Sequence, residues 1–169
     1  MAIRNIVKIG EPVLREKCRE VTAFDDRLSI LIDDMTETMF AANGVGIAAP
    51  QVGILKRVCI VCTDGKTIYE LVNPVIKKAS GTQRGPEGCL SIPGRQETVV
   101  RPKKIVVEAY DRHGDGYVYK VEGFEAVVFC HEIDHLDGHM YTEIAEKMLT
   151  PEELAALEQQ EADNEEDEG

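Results

Sequence analysis

The sequence predicts an α+β fold, with mostly antiparallel sheets around a central helix and with an N-terminal and a C-terminal helix beside them. Three observations carry this reading. An early amphipathic run has helical spacing, a middle section holds short β-branched and aromatic runs divided by turn residues, and helical periodicity returns after residue 121. The order of helix, strands and helix, without internal repeats, fits a single domain.

Taken in order, Pro12 suits a first helical turn. Leu28, Leu31, Ile32, Met35, Met39 and Ala42 then follow helical spacing behind Asp25 and Asp26, whose charge favours a helix N-terminus. This helix runs for roughly five turns and ends at Asn43 and Gly44. The stretch GVGIAAPQ, residues 44–51, is small and holds a proline, which predicts a loop that something approaches closely. From residue 57 the runs RVCIVC, TIYELVN, KIVVEAY and GYVYKV read as strands, with DG, NP, GTQRGPEG and RHGDG as turn material between them. Phe124, Val127, Val128, His131 and His135 share one stripe of a buried helix from Glu122 to about Leu136. In TPEELAALEQQEA, Thr150 as N-cap, Pro151 in the first turn and Glu153 three residues past the cap form a capping box for a third helix. Residues 1–160 make one catalytic domain in this reading. The acidic end over 161–169, crowded with Glu161, Asp163, Glu165, Glu166, Asp167 and Glu168, is expected to be a disordered, solvated tail.

Composition narrows the possible partners. A formal net charge of −12 over 169 residues argues against a DNA-tracking surface. No apolar run approaches membrane-spanning length, and MAIRNIVKIGEP has the character of neither a secretory signal nor a transit peptide, so a cytoplasmic protein without membrane partners is expected. Five cysteines, an odd number scattered through the chain, do not form a disulfide framework and fit a reducing compartment.

The sharpest chemical feature is HEIDH, residues 131–135. Histidines four apart on a helix lie on one face and share a metal, with Glu132 beside them as general base. Two core histidines without such a job would be costly in so apolar a segment. A hydrolytic site normally has a third protein ligand and an open position. A metzincin would place a third histidine where Tyr141 stands, although Gly138 matches its glycine. His139 reads better as an exposed or capping residue. A thermolysin-like site would draw on Glu152 or Glu153, though the capping box gives Glu153 other work. Cys89, in GPEGCLSIPG, sits in a strand broken by tight turns that could project a thiolate, while a lone cysteine is commonly just a small core residue. Cys59 and Cys62 fall on opposite faces of a strand and read as core residues, and Cys130 points about 100° away from His131.

Taken together, GVGIAAPQ at 44–51, EGCLS at 87–91 and HEIDH at 131–135 resemble, in order and over most of the chain, the three signature segments of peptide deformylases. The resemblance implies a hydrolase that removes the formyl group from formyl-methionyl nascent polypeptides and releases formate. It implies Cys89, His131 and His135 as ligands of one divalent metal, Fe2+ in cells, with Zn2+, Ni2+ or Co2+ able to take the same place. Bound water would be the nucleophile and Glu132 the base and then the acid. The Gln51 side-chain amide and the Leu90 backbone N–H are the implied oxyanion donors. Gly46, lacking a side chain, leaves room for a substrate backbone. Phe124, Val127 and Val128, one and two turns before His131, are the expected lining for a methionine side chain. Glu87 and Arg101 flank the Cys89 segment and are expected to brace it. The family motif often carries glutamine where Cys130 stands, a departure that leaves the ligand set intact. Work on nascent chains implies transient ribosome contact. The rival readings are a domain with a structural zinc, which would need a fourth ligand, and a metallopeptidase, which would not need EGCLS.

Overall fold

The computed structural model describes residues 2–145, 147, 148, 155, 156 and 159. After a 3-10 turn over Pro12–Arg15, with Pro12 in its first position, helix α1 spans Asp26–Ala41. Asp25 caps it, its side chain accepting the Leu28 N–H at 3.1 Å. Among the described residues eight strands follow the helix: β1 (Gly46–Ala48), β2 (Val58–Val61), β3 (Tyr69–Ser80), β4 (Gln83–Cys89), β5 (Ile92–Arg101), β6 (Lys104–Tyr110), β7 (Gly116–Glu122) and, after helix α2 (Gly123–Leu136), β8 (Lys147–Met148).

The strands form two antiparallel sheets, one ordered β1-β2-β3-β6-β7 and the other β4-β5-β8. Helix α2 packs on one face of the larger sheet, burying Ala126, Phe129, Cys130, Ile133 and Leu136 against Cys59, Val61, Leu71 and Val107. Helix α1 packs on the other face, with Leu31, Ile32, Met35 and Met39 against Val58, Ile60 and Cys62. The two thiols of RVCIVC thus lie on opposite faces of the sheet, as the two-residue strand period requires. Among the described residues no helix is long and apolar enough to cross a membrane.

Three expectations change. GTQRGPEG is not turn material, because Gln83–Cys89 is strand β4, paired with the β5 strand that the sequence did not announce. Its glycines and prolines hide the alternation that marks a strand. The NP dipeptide lies inside β3, at a bulge between Val72 and Val75 where Asn73 takes φ 51° and bonds the Val21 backbone through both side-chain ends. Within the expected loop 44–51, Gly46–Ala48 is an edge strand and Ala49–Val52 a 3-10 turn. Of the expected third helix, Ala155, Ala156 and Gln159 are helical and exposed, while Thr150, Pro151, Glu152, Glu153 and the tail 161–169 lie outside the described residues.

Candidate active site

The site forms where the two sheets meet. Helix α2 brings His131, Glu132 and His135, and the end of β4 brings Cys89. One donor atom from each of Cys89, His131 and His135 lies within 4.8 Å of the others, with Cys89 Sγ 3.4 Å from His135 Nε2. Two imidazoles and a thiol converging in a buried pocket are the donor set of an open transition-metal site, so these residues fit a divalent cation.

Buried charges orient the ligands. Glu87 Oε1 lies 2.9 Å from His131 Nδ1, which leaves Nε2 facing the site. Arg101 grips Glu87 with two bonds, of 2.9 and 3.0 Å, and reaches Asp134 Oδ2 at 2.6 Å. The expected Glu87–Arg101 pair is therefore formed, and Asp134 extends it toward the surface. Burial alone would push His131 down, but hydrogen bonds with Cys89 and Glu87 hold it up at about 10. Burial and the charges on His131 and Arg101 push His135 well below its usual value, which keeps that imidazole neutral. Tyr141, where a metzincin would place a histidine, stacks on the His131 ring at 5.8 Å. His139 is an exposed partner of Glu143, 3.0 Å away.

Glu132 is buried, and burial pushes its carboxyl up to about 7. Its Oε1 lies 3.7 Å from His131 Nε2, and its Oε2 has no hydrogen-bond partner among the described residues. Gln51 is held in the turn after β1, where its Oε1 accepts the Ala48 N–H at 2.9 Å. That contact aims Nε2 at Cys89 Sγ (3.4 Å) and Ser91 Oγ (3.1 Å). Leu90 and Ser91 form the tip of the β4–β5 hairpin. A cleft of about 840 Å³ runs over the site, lined by Gly46, Leu90, Phe124, Val127, Val128 and Glu132 among others. Phe124 shares the expected stripe yet is 58% exposed, so it forms the rim of this cleft and not part of the core. Cys130 is buried against the larger sheet, and burial pushes its thiol up to about 11.

The family model for polypeptide deformylase matches residues 3–150, which include every residue of this site. The chain belongs to the polypeptide deformylase family. Family members remove the N-terminal formyl group from nascent polypeptides by metal-dependent hydrolysis, and that is the activity of this enzyme. The chain is 51% identical over 146 residues to the peptide deformylase of Heliobacterium modesticaldum, covering 86% of this chain and 96% of that one. It is 46% identical over 154 residues to that of Acetivibrio thermocellus, covering 91% and 90% of the two chains. Among solved structures, the peptide deformylase of Legionella pneumophila superposes with a TM-score of 0.83 at 38% identity, covering 94% of this chain and 92% of that one. The deformylase of Thermus thermophilus does so with 0.82 at 43%, covering 92% and 90%.

The deformylase site brings together Cys89, His131, His135, Glu132, Gln51, Leu90, Gly46, Val127 and Val128, with Phe124 at its rim, whereas Cys59, Cys62, Cys130 and His139 lie apart from it. Ser91, Asp134 and Tyr141 had drawn no functional reading from the sequence. Each touches a partner more than 30 residues away or makes a ring stack; Ser91 in EGCLS and Asp134 in HEIDH lay within segments already marked, while Tyr141 did not.

Proposed function

We propose that Glu132 is the general base and then the acid of deformylation, that Cys89, His131 and His135 hold the cation, and that Gln51 and the Leu90 N–H stabilise the oxyanion. The observation that carries this reading is the partnerless Oε2 of a buried glutamate next to three convergent metal donors. A structural carboxylate that deep would be fully bonded.

A divalent cation in this donor set supplies Lewis acidity toward water and toward the formyl carbonyl. Glu132 takes a proton from the water as it attacks the formyl carbon. The same carboxyl then gives that proton to the amine nitrogen as the C–N bond breaks, releasing formate and a free N-terminus. The Gln51 proton directed at Cys89 and the Leu90 N–H are donors available to the oxyanion. Phe124, Val127 and Val128 form the apolar wall for a methionine side chain.

Gly46 receives the peptide backbone. Strand β1 is an edge of its sheet, and the Val45 carbonyl points inward to the Cys62 N–H at 2.9 Å. Alternation along an antiparallel strand turns the Gly46 N–H and C=O outward, free to pair with substrate.

Native Fe2+ follows from the family, while the sulfur and nitrogen donors suit Zn2+ equally well, and Fe2+ beside an oxidisable Cys89 makes activity sensitive to oxygen and peroxide. Unchanged activity after exposure to air and peroxide would count against it. The family match over 3–150 supports one catalytic domain over 1–160. Free thiols on all five cysteines suit the cytoplasm. Transient ribosome contact is supported by lysines on the outward face of β3, β6 and β7. Lys78 and Lys120 flank Val106 in one cross-strand row, and Lys104 lies in the next.

The decisive test is formate release from formyl-Met-Ala-Ser by anaerobically prepared, iron-loaded protein, with Glu132→Ala beside it. Release by wild type alone establishes the base. Equal release by a folded, metal-replete Glu132→Ala protein refutes it.

A further inference from the structure

Residues 2–9 take no part in the chemistry above, yet they run from α1 to the centre of the site. At one end the Ala2 N–H donates to Asp34 Oδ1 at 2.8 Å, the Arg4 N–H donates to Thr38 Oγ1 at 2.9 Å, and the Arg4 guanidinium pairs with Asp34. At the other end the Val7 N–H donates to the Gln51 carbonyl at 2.7 Å and the Ile9 N–H to the Ser91 carbonyl at 2.9 Å. Between them the Lys8 ammonium reaches the Leu90 carbonyl at 3.4 Å. Three consecutive residues thus bond to both segments that carry the oxyanion donors.

We infer that Val7–Ile9 is a positioning clamp, which fixes the Gln51 turn against the Leu90–Ser91 hairpin tip so that two donors from separate segments meet at one oxyanion. The inference rests on the roles proposed for Gln51 and Leu90. Apart from the arm, the two segments are joined by the Gln51 Nε2 contacts to Ser91 and Cys89. Turning an Nε2 proton toward a developing oxyanion weakens that very link. The arm replaces it with main-chain bonds that the reaction leaves untouched. Two residues of chain span at most roughly 7 Å, so the turn and the tip cannot separate further without losing a bond. Donors held in advance of the charge they meet need no reorganisation at the moment of reaction.

The test compares Val7→Pro, which removes the donor to Gln51, with Lys8→Met, which keeps the stem and removes the ammonium. Both are made in wild type and in Gln51→Ala, with formyl-Met-Ala-Ser as substrate. Loss of aligned donors lowers kcat by about tenfold with KM within about twofold. Lys8→Arg restores kcat, and Val7→Pro causes no further loss in Gln51→Ala. In the zinc-loaded protein the Leu90 amide signal in the proton–nitrogen spectrum shifts in each impaired variant. If Val7→Pro does not fold, Lys8→Met and the Leu90 signal decide. Wild-type kcat in Lys8→Met with an unmoved Leu90 signal overturns the clamp, as does an equal loss on top of Gln51→Ala. In either case Gln51→Ala itself stays impaired. Wild-type kcat in Gln51→Ala would instead remove the donor role and the clamp with it.

Discussion

Gly46 and Glu132 touch so closely that a Cβ on Gly46 would stand 2.8 Å from Glu132 Cγ and 2.9 Å from Val128 Cγ1. The small residue proposed to receive the peptide backbone is also the one that leaves room for the glutamate. Gly46→Ala must therefore move the carboxylate, the strand or both. A displacement near 1 Å costs roughly 100-fold in turnover, and the overpacking costs about 1–3 kcal/mol of stability. Formate kinetics and a denaturant melt on the same sample check the two effects.

Removing the guanidinium from Arg101 leaves Glu87 buried with His131 as its remaining partner. Arg101→Ala is expected to lose 10- to 100-fold in metal affinity, the usual consequence of losing a group that orients a ligand. Stability falls by about 3–5 kcal/mol, because a buried charge is left uncompensated. Competition against a chelating dye measures the affinity, and a wild-type value would refute the brace.

Cys89 is the half-buried thiol of the five, while Cys18, Cys59, Cys62 and Cys130 are buried. Burial also pushes Cys18 and Cys130 up to about 11, and holds Cys59 well above its usual value. Iodoacetamide added to native, metal-free protein should modify Cys89 and spare the others, and bound zinc should protect Cys89. Peptide mass mapping reads both results. Labelling of Cys59 or Cys62 in native protein would contradict their burial in the two layers of core.

Stability at low pH depends partly on Asp34. The Ala2 N–H and the Arg4 guanidinium outweigh burial and hold its carboxyl below the usual 3.8. A folded value below the unfolded one stabilises above 3.8, and that contribution fades as pH falls through the folded value. Asp34→Asn should cost roughly 1–3 kcal/mol at neutral pH. The gap between variant and wild type should narrow as pH falls below the usual 3.8 and through the lower folded value, measured by denaturant melts. A gap independent of pH would mean that the Asp34 carboxyl titrates alike in the folded and unfolded protein.

Much of this was legible in the sequence. The spacing of Leu28, Leu31, Ile32, Met35 and Met39 announced α1, and HEIDH announced its own helix, because both patterns are local and periodic. The β4–β5 hairpin was not legible, since Pro86, Gly85 and Gly88 interrupt its alternation and its pairing is with distant residues. Cys89 stood out through its resemblance to a family segment, and spacing alone left it open. Residues 2–9 gave no sign of a role, because their partners lie more than 30 positions away, and at the site end these are main-chain carbonyls, which leave no trace in side-chain identity.

Cys89 closes the smaller sheet, whereas His131 and His135 ride on the helix packed against the larger one. A bound ion is therefore a rivet through the seam between two layers, and binding only the folded form adds its affinity to the stability of that seam. An unmetallated chain lacks that rivet and should open there, and meet proteases, more often than its loaded sibling. The cellular level of this enzyme should accordingly follow the supply of its metal, with clearance acting as inspection.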